Sequence, residues 1–364
     1  MAKIDLNNLD KSSWESFKFE EIAFKISESV DPNKTDLGVY IGLEHIDAED
    51  IHIRRTGTPD DVNGQKLKCY PGDVIFGKRR AYQRKAAIVE VEGICSAHAF
   101  VLRANKENIE PKLFPFFLHS DQFMHRMIDI SVGGLSPTIN WGDLKHQEFL
   151  LPPREEQAEI AELLWAMDDV IEKEKKILTK TEIVQHSLFK KFKNKENDWK
   201  QYKLSELLNL NYGNALKESD RVAGDFSVVT SAGIQGNHNK YISDGPGIVI
   251  GRKGNAGQVT WVENNFWATD TAYYVTLKKV FTELPIKFFY YLLVSLDLKK
   301  LSISTAVPGL NRDDALITKV YLPKYDEIEI YLKKFDFLDQ QLSIVKSKID
   351  TSKSLQKSLI SQVF

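Results

Sequence analysis

The sequence predicts an α+β protein: two α/β domains in a pseudo-two-fold arrangement, separated by two long antiparallel coiled-coil helices. Three observations predict it. The chain repeats itself with a long period, each copy ends in a run of strict heptad spacing, and 364 residues exceed one ordinary core and suit two domains of common size. The implied division is 1–151, a central helix 152–195, 196–322, and a C-terminal helix 323–364.

The repeat comes first. Trp14-Glu-Ser-Phe-Lys-Phe-Glu-Glu-Ile22 resembles Trp199-Lys-Gln-Tyr-Lys-Leu-Ser-Glu-Leu207, and each reads as a short strand entering a domain. Pro71-Gly-Asp-Val-Ile-Phe-Gly-Lys78 resembles Pro246-Gly-Ile-Val-Ile-Gly-Arg252: a turn, an apolar strand, then a basic loop. Ser96-Ala-His-Ala-Phe100 echoes Thr269-Asp-Thr-Ala-Tyr273. Pro111–Leu118 echoes Pro285–Leu292 in a helix-like setting.

Leu151-Pro152 and Leu322-Pro323 then open two helical patterns. The first seam runs Ile160, Leu164, Met167, Ile171, Glu174, Leu178, Thr181, Gln185, Leu188, Phe192. The second runs Tyr331, Phe335, Leu338, Leu342, Val345, Ile349, Ser352, Gln356, Leu359, Val363, every pair offset by 171 residues. Unbroken four-three spacing is a coiled-coil seam. A rod of ~57 Å, at ~1.5 Å per residue, needs a partner of equal length, and the chain holds one. Acidic residues early and basic residues late in the first pattern suit the helix macrodipole. The polar seam residues either fix register or face water near a frayed end.

Composition narrows the class. Hydrophobic residues at 42% and charged residues at 27% are ordinary for a globular protein. Two cysteines, Cys69 and Cys95, are too few for a disulfide scaffold, so a cytoplasmic location is the expectation. The N-terminus lacks the apolar core of a signal peptide, and no apolar run reaches the ~20 residues that span a bilayer, so no membrane partner is expected. A net charge of −2 argues mildly against nucleic acid, yet placement matters more than the sum. Five bases fall within Lys78–Lys85, and no acid occurs from Val74 to Val89.

That basic loop makes Lys78, Arg79, Arg80, Tyr82, Gln83, Arg84 and Lys85 the first DNA-contact candidates. Arg and Lys supply phosphate and guanine contacts, Gln suits adenine, and Tyr stacks or donates. A solvated hairpin loop is the bland alternative. The matching loop offers Arg252, Lys253, Asn255 and Gln258, with glycines that let backbone approach a phosphate. Ser231–Lys240 reads as a loop rich in amide and imidazole groups, hence Gln235, Asn237 and His238. Thr138, Asn140, Asn311 and Arg312 precede the helices in matching places. They are either contacts or plain turn and cap residues.

No catalytic constellation emerges. The sequence has no Asn-Pro-Pro-Tyr/Phe motif, no Gly-Lys-Ser/Thr phosphate loop and no zinc spacing of Cys and His, so no catalytic residue, metal site or bound cofactor is expected.

These residues together resemble a known family. The series Trp-x-x-Phe/Tyr, Gly-Asp-Val-Ile and Leu151-Pro-Pro-Arg-Glu-Glu-Gln157 looks like the specificity subunit of Type I restriction–modification systems, in both halves and over nearly the whole chain. The second copy, Leu322-Pro-Lys-Tyr-Asp-Glu327, lacks the second Pro and the Gln. The resemblance implies two target recognition domains, each reading half of a split, asymmetric site in double-stranded DNA. It implies helices that act as spacer and docking surface for two methyltransferase subunits carrying S-adenosylmethionine, with motor-nuclease subunits joining the full complex. It also implies a subunit without catalysis of its own. Three other classes compete: the recognition part of a fused restriction–methylation enzyme, a coiled-coil adaptor that binds protein alone, and a sequence-blind DNA-binding protein.

Overall fold

In a computed structural model the residues described are 11–194, 199–302 and 308–364. The expected boundary at 195–196 lies outside them. The chain divides into two units: one runs to Lys175 and resumes at Ser347–Phe364, the other is Lys176–Lys346. Each long helix is therefore shared between units.

In the first unit, strands Ala23–Ile26, Ala99–Ala104, Val74–Gly77 and Ala86–Ile88 form an antiparallel sheet in that spatial order. The second unit repeats it with Leu208–Tyr212, Ala272–Leu277, Gly247–Gly251 and Val259–Val262. The central strands are fully buried and read as continuous apolar runs, Val-Ile-Phe and Ile-Val-Ile, as a strand covered on both faces should. A smaller sheet in each unit contains one parallel pair, Tyr40–Ile41 with Gly93–Cys95 and Phe226–Thr230 with Phe266–Ala268. A two-stranded ribbon closes each domain, Glu15–Lys18 on Glu148–Leu151 and Lys200–Lys203 on Lys319–Leu322.

The entry segments are less uniform than the sequence suggests. Each strand turns into one helical turn, Phe19–Ile22 or Leu204–Leu207, because a glutamate folds back to cap it. Glu21 accepts from the Lys18 N–H at 2.7 Å, and Glu206 from the Lys203 N–H at 2.6 Å. The turns place Phe19 and Leu204 in their cores with no exposure.

The long helices are Arg154–Lys191 and Tyr325–Val363. All ten seam positions of each pattern are buried or half-buried. Within the first unit the helix segments run antiparallel: Gln356 Nε2 donates to the Leu164 carbonyl at 3.3 Å, and Lys348 lies 3.6 Å from Glu174. Within the second unit they do so again, with Gln185 bonded to Asp339 at 2.7 Å and Phe189 stacked on Phe335 at 5.0 Å. Gln185 is thus a register bond. Thr181 instead back-bonds to the Ile177 carbonyl at 2.9 Å.

The Leu-Pro-Pro-Arg-Glu-Glu-Gln phrase has a structural reason. Gln157 is 1% exposed, accepts from the Glu110 N–H and donates to the Asn108 and Pro152 carbonyls, so it stitches the first helix to its domain. At the equivalent place stands Ile328, buried among apolar neighbours, which needs no such bonds. No helix among the described residues is long and apolar enough to cross a membrane.

Candidate nucleic-acid interface

Residues 78–85 connect two paired strands of the first sheet, and Ala81–Gln83 form a 3-10 turn within them. Arg80 and Arg84, which flank the turn, both adopt left-handed backbone, at φ 55° and 51°. For a side chain of that size the conformation costs about 1 kcal/mol, so the surroundings must hold it. They do: Arg80 N–H donates to the Pro137 carbonyl at 2.8 Å, Ile139 N–H to the Lys78 carbonyl at 2.9 Å, and Arg79 pairs with Thr138. The loop before the helix is thereby bonded to the basic loop. Thr138 is thereby set beside the cations, and its hydroxyl donates to the Ser136 carbonyl in a turn. Asn140 precedes the turn Trp141–Leu144 and bonds Asp143, a cap position. Val132 pairs with Thr138 across the pre-helix loop, whose tip carries Leu135, 98% exposed.

The seven candidates of the basic loop separate into two groups. Arg80 and Tyr82 are exposed and Arg79 is half-buried, its guanidinium 3.3 Å from His98 Nε2. Burial and the nearby Arg79 and Lys78 charges push the His98 pKa down, which favours the neutral ring that accepts this bond. Lys78 lies 5.4 Å from the Phe100 ring centroid, with Lys25 at 5.9 Å from the same ring. Burial, then the Lys25 charge, lowers the Lys78 pKa. Lys25 has no sequence signal, because it joins the loop only through sheet pairing. Gln83 is half-buried in the turn.

Arg84 and Lys85 correct the expectation. Arg84 is held between Glu49, at 3.0 Å, and Asp121, and Lys85 donates to the Leu43 carbonyl. Burial lowers and these carboxylates raise the Arg84 pKa, with a net rise. Both cations are engaged in holding the loop rather than offered to a ligand.

The second unit builds its face the same way. Leu310 N–H donates to the Arg252 carbonyl at 2.9 Å, Gly254 N–H to the Pro308 carbonyl at 2.9 Å, and Lys253 pairs with Gly309. The two loops that were candidates separately are one surface. Arg252 and Arg312 converge on Tyr212, with guanidinium carbons 4.8 and 5.2 Å from its ring centroid. Lys253 and Asn255 are exposed beside them. A Cβ added to Gly233 would lie 3.7 Å from Gln258 Nε2, so Gln258 reaches the start of the neighbouring strand.

Two expectations for this unit are corrected, and Asn311 takes the cap role that was one of its two readings. Ser231–Lys240 is not a loop: Gly233–His238 is a strand paired with Phe226–Thr230, which leaves Gln235 and Asn237 exposed on it. His238 is 6% exposed, accepts from the Val222 N–H at 3.0 Å and packs edge-on against Trp267, so it is a core histidine. Asn311 caps the helix Arg312–Leu316 by accepting from the Asp313 and Asp314 N–H groups. The glycines also answer to the fold. A Cβ on Gly257 would fall 2.4 Å from the Lys299 nitrogen, so that residue is small to let two backbones meet, not to approach a phosphate.

One ionic cluster joins residues 50–54 to the first long helix. His52 Nε2 is 2.7 Å from Asp168, and Arg54 grips Glu172 at 2.6 and 2.7 Å; Asp50 and Lys175 complete it. Among the described residues, His52, Asp168 and Glu172 alone have metal-ligand spacing, and their atoms are engaged with these cations and with each other.

The family model of the Type I restriction modification DNA specificity domain matches residues 11–182 and 196–352. The chain is 26% identical over 168 residues to the EcoDI specificity subunit of a Type I restriction enzyme from Escherichia coli, across 45% of this chain and 37% of that one. It is 28% identical over 149 residues to the putative MjaX specificity subunit of Methanocaldococcus jannaschii, across 38% and 35%. The matched stretches span little more than a third of either curated relative. A crystal structure of the S subunit of a Type-I restriction-modification system from M. genitalium superposes with a TM-score of 0.67 at 17% identity over 98% of both chains. A chain from a type I R-M system, whose complex assembly and conformational transition have a described structural basis, gives 0.57 at 17% over 97% of both. At that identity the likeness concerns the fold.

Proposed function

The chain belongs to the Type I restriction modification DNA specificity family, and from that premise we propose that its two cationic faces read the two halves of a split, asymmetric site in double-stranded DNA. The observation that carries this reading is the recurrence of one construction: a basic hairpin loop hydrogen-bonded to the loop that precedes the long helix. Exposed Arg80 and Tyr82 with half-buried Lys78 and Arg79, and exposed Lys253 and Asn255 with half-buried Arg252, Gln258 and Arg312, have the groups for phosphate and base-edge contact. Because the loops differ in sequence, the half-sites differ.

Recognition is the chain's part, and chemistry belongs to partners. Two methyltransferase subunits supply S-adenosylmethionine and methylate adenine, and motor-nuclease subunits complete the restriction complex. An exposed apolar residue recurs every seventh position along the first long helix, at Leu163, Val170, Ile177 and Val184, and along the second at Ile330, Phe337 and Ile344. These stripes lie off the buried seam and support docking of partner subunits along the helices.

The test is methylation mapping with this chain and its methyltransferase. K78A/R79A is expected to relax or lose one half-site and leave the other intact; R252A/K253A is expected to do the converse. A pair of variants that alter both half-sites together, or neither, overturns the assignment of one half-site to each face.

A further inference from the structure

Tyr212 ends the first strand of the second unit's main sheet and stands about half exposed at the rim of its candidate face. Nothing in its sequence surroundings marks it. The fold brings two segments to it that are otherwise sixty residues apart, and among the described residues it is the one side chain whose ring both Arg252 and Arg312 approach. Arg252 is held further by its Nη1, which donates to the Asp270 carbonyl at 3.1 Å, and by its backbone, which bonds Thr271 and Leu310. Tyr212 packs in turn on Tyr273, ring centroids 5.2 Å apart, and the buried Tyr273 hydroxyl donates to the Leu310 carbonyl at 3.1 Å. Ring, loop and pre-helix segment form one connected unit.

Two guanidinium groups near one another repel, and each is a long side chain with several free torsions. A ring quadrupole attracts both and restricts both. Among the described residues the other charged contact of Arg312 is to the exposed Asp313 at 3.4 Å, a solvated pair of small worth. A guanidinium reads guanine through two parallel hydrogen bonds, a geometry that loose side chains meet at an entropic cost.

We propose that Tyr212 is a positioning residue for specificity: its ring presets Arg252 and Arg312 for contact with the second half-site. The inference rests on the reading of this surface as a DNA face. It makes the ring, not the hydroxyl, the part that matters, since both guanidinium carbons lie over the ring, at 4.8 and 5.2 Å from its centroid. Loss of the ring then lowers discrimination between the cognate half-site and single-base variants more than it lowers binding to unrelated DNA. The first half-site is untouched.

The experiment uses the full chain assembled with its methyltransferase subunits and compares Tyr212→Phe, Tyr212→Leu and Tyr212→Thr. Methylation rates are measured on DNA carrying the cognate site, or single-base changes in either half-site. Phe is expected to match the parent. Leu and Thr are expected to lose about 5- to 30-fold in discrimination at the second half-site alone, with thermal unfolding unchanged. In an R252A/R312A background the Leu and Thr changes are expected to be silent. Retained discrimination in Tyr212→Leu and Tyr212→Thr, where R252A/R312A loses it, overturns the inference and leaves the DNA face standing. A Phe variant as impaired as Leu overturns it too, because the hydroxyl is then the active group. If R252A/R312A leaves the second half-site unchanged, the face itself is misassigned and the inference falls with it.

Discussion

The two units hold their long-helix segments by different chemistry. In the first, an ionic cluster flanks the apolar packing: His52, Arg54 and Asp50 of the domain meet Asp168, Glu172 and Lys175 of the helix, beside Leu113, Phe116, Ile160, Leu164 and Trp165. In the second the joint is aromatic. Phe192, Trp199, Phe288, Tyr291, Tyr331 and Phe335 interlock, with Phe335 stacked at 4.8 Å on Tyr291. The Tyr291 hydroxyl donates to Asp336 or Asp339, each at 2.8 Å. The same architecture therefore tolerates either solution, provided buried polar groups are paired and buried apolar surface is contiguous. The ionic joint depends on pH and salt in a way that the aromatic one does not.

The largest expected effect is Phe335→Ala, which leaves a cavity at the centre of the second joint. It should destabilise the second unit by about 3–5 kcal/mol, read as loss of hydrogen-exchange protection in Lys176–Lys346. A loss under about 1 kcal/mol would show that the stack packs more loosely than its distances imply.

His52→Leu should come next. It strands Asp168, which is 6% exposed, and should cost the first unit about 2–3 kcal/mol. It also carries a pH signature. The Asp168 hydrogen bond raises the His52 pKa above its usual 6.5 against the opposing effect of burial. That contribution is full below the unfolded value and is lost as pH rises through the folded one. Asp50 and Glu172 act in the opposite sense. Burial pushes Asp50 up, but Arg54, the His52 N–H and Lys175 bring it down to about 2; Arg54, opposed by burial and aided by Lys175, brings Glu172 to about 2. Their contribution is present above the ordinary carboxylate range and is lost as pH falls through it toward 2. The first joint should therefore be strongest between about pH 4.5 and 6.5, and His52→Leu should flatten only the neutral limb. An unchanged pH profile of exchange in the first unit would remove the histidine from this role.

Tyr291→Phe should cost the second unit about 1–2 kcal/mol by taking away the donor shared by two carboxylates. Smallest of the four is Arg54→Met, at about 1 kcal/mol in low salt and less at high salt, because the pair with Glu172 is partly solvated. If salt changes exchange equally in both units, the distinction between an ionic and an aromatic joint does not hold.

Much of this protein was legible in its sequence where the signal is local. Heptad spacing arises from one helix keeping one face toward a partner, so the twenty seam positions could be read directly, and the structure buries or half-buries every one. The paired apolar strands and the basic connections between them follow from short continuous apolar runs and turn chemistry. The two-copy plan follows from repetition. What no local pattern carries is the partner of each charge. Arg84 and Lys85 look like their neighbours until Glu49, Asp121 and the Leu43 carbonyl, 35 to 42 residues away, engage them. His238 looks like a reader until Val222 and Trp267 enclose it. Lys25 and Tyr212 have no signal at all, since only sheet pairing sets them beside the basic loops. Sequence by itself determined the elements, their order and their duplication, because period and propensity are properties of neighbours along the chain. The tertiary structure alone decided which cations are left for a ligand, because an ion pair or hydrogen bond depends on distance in space.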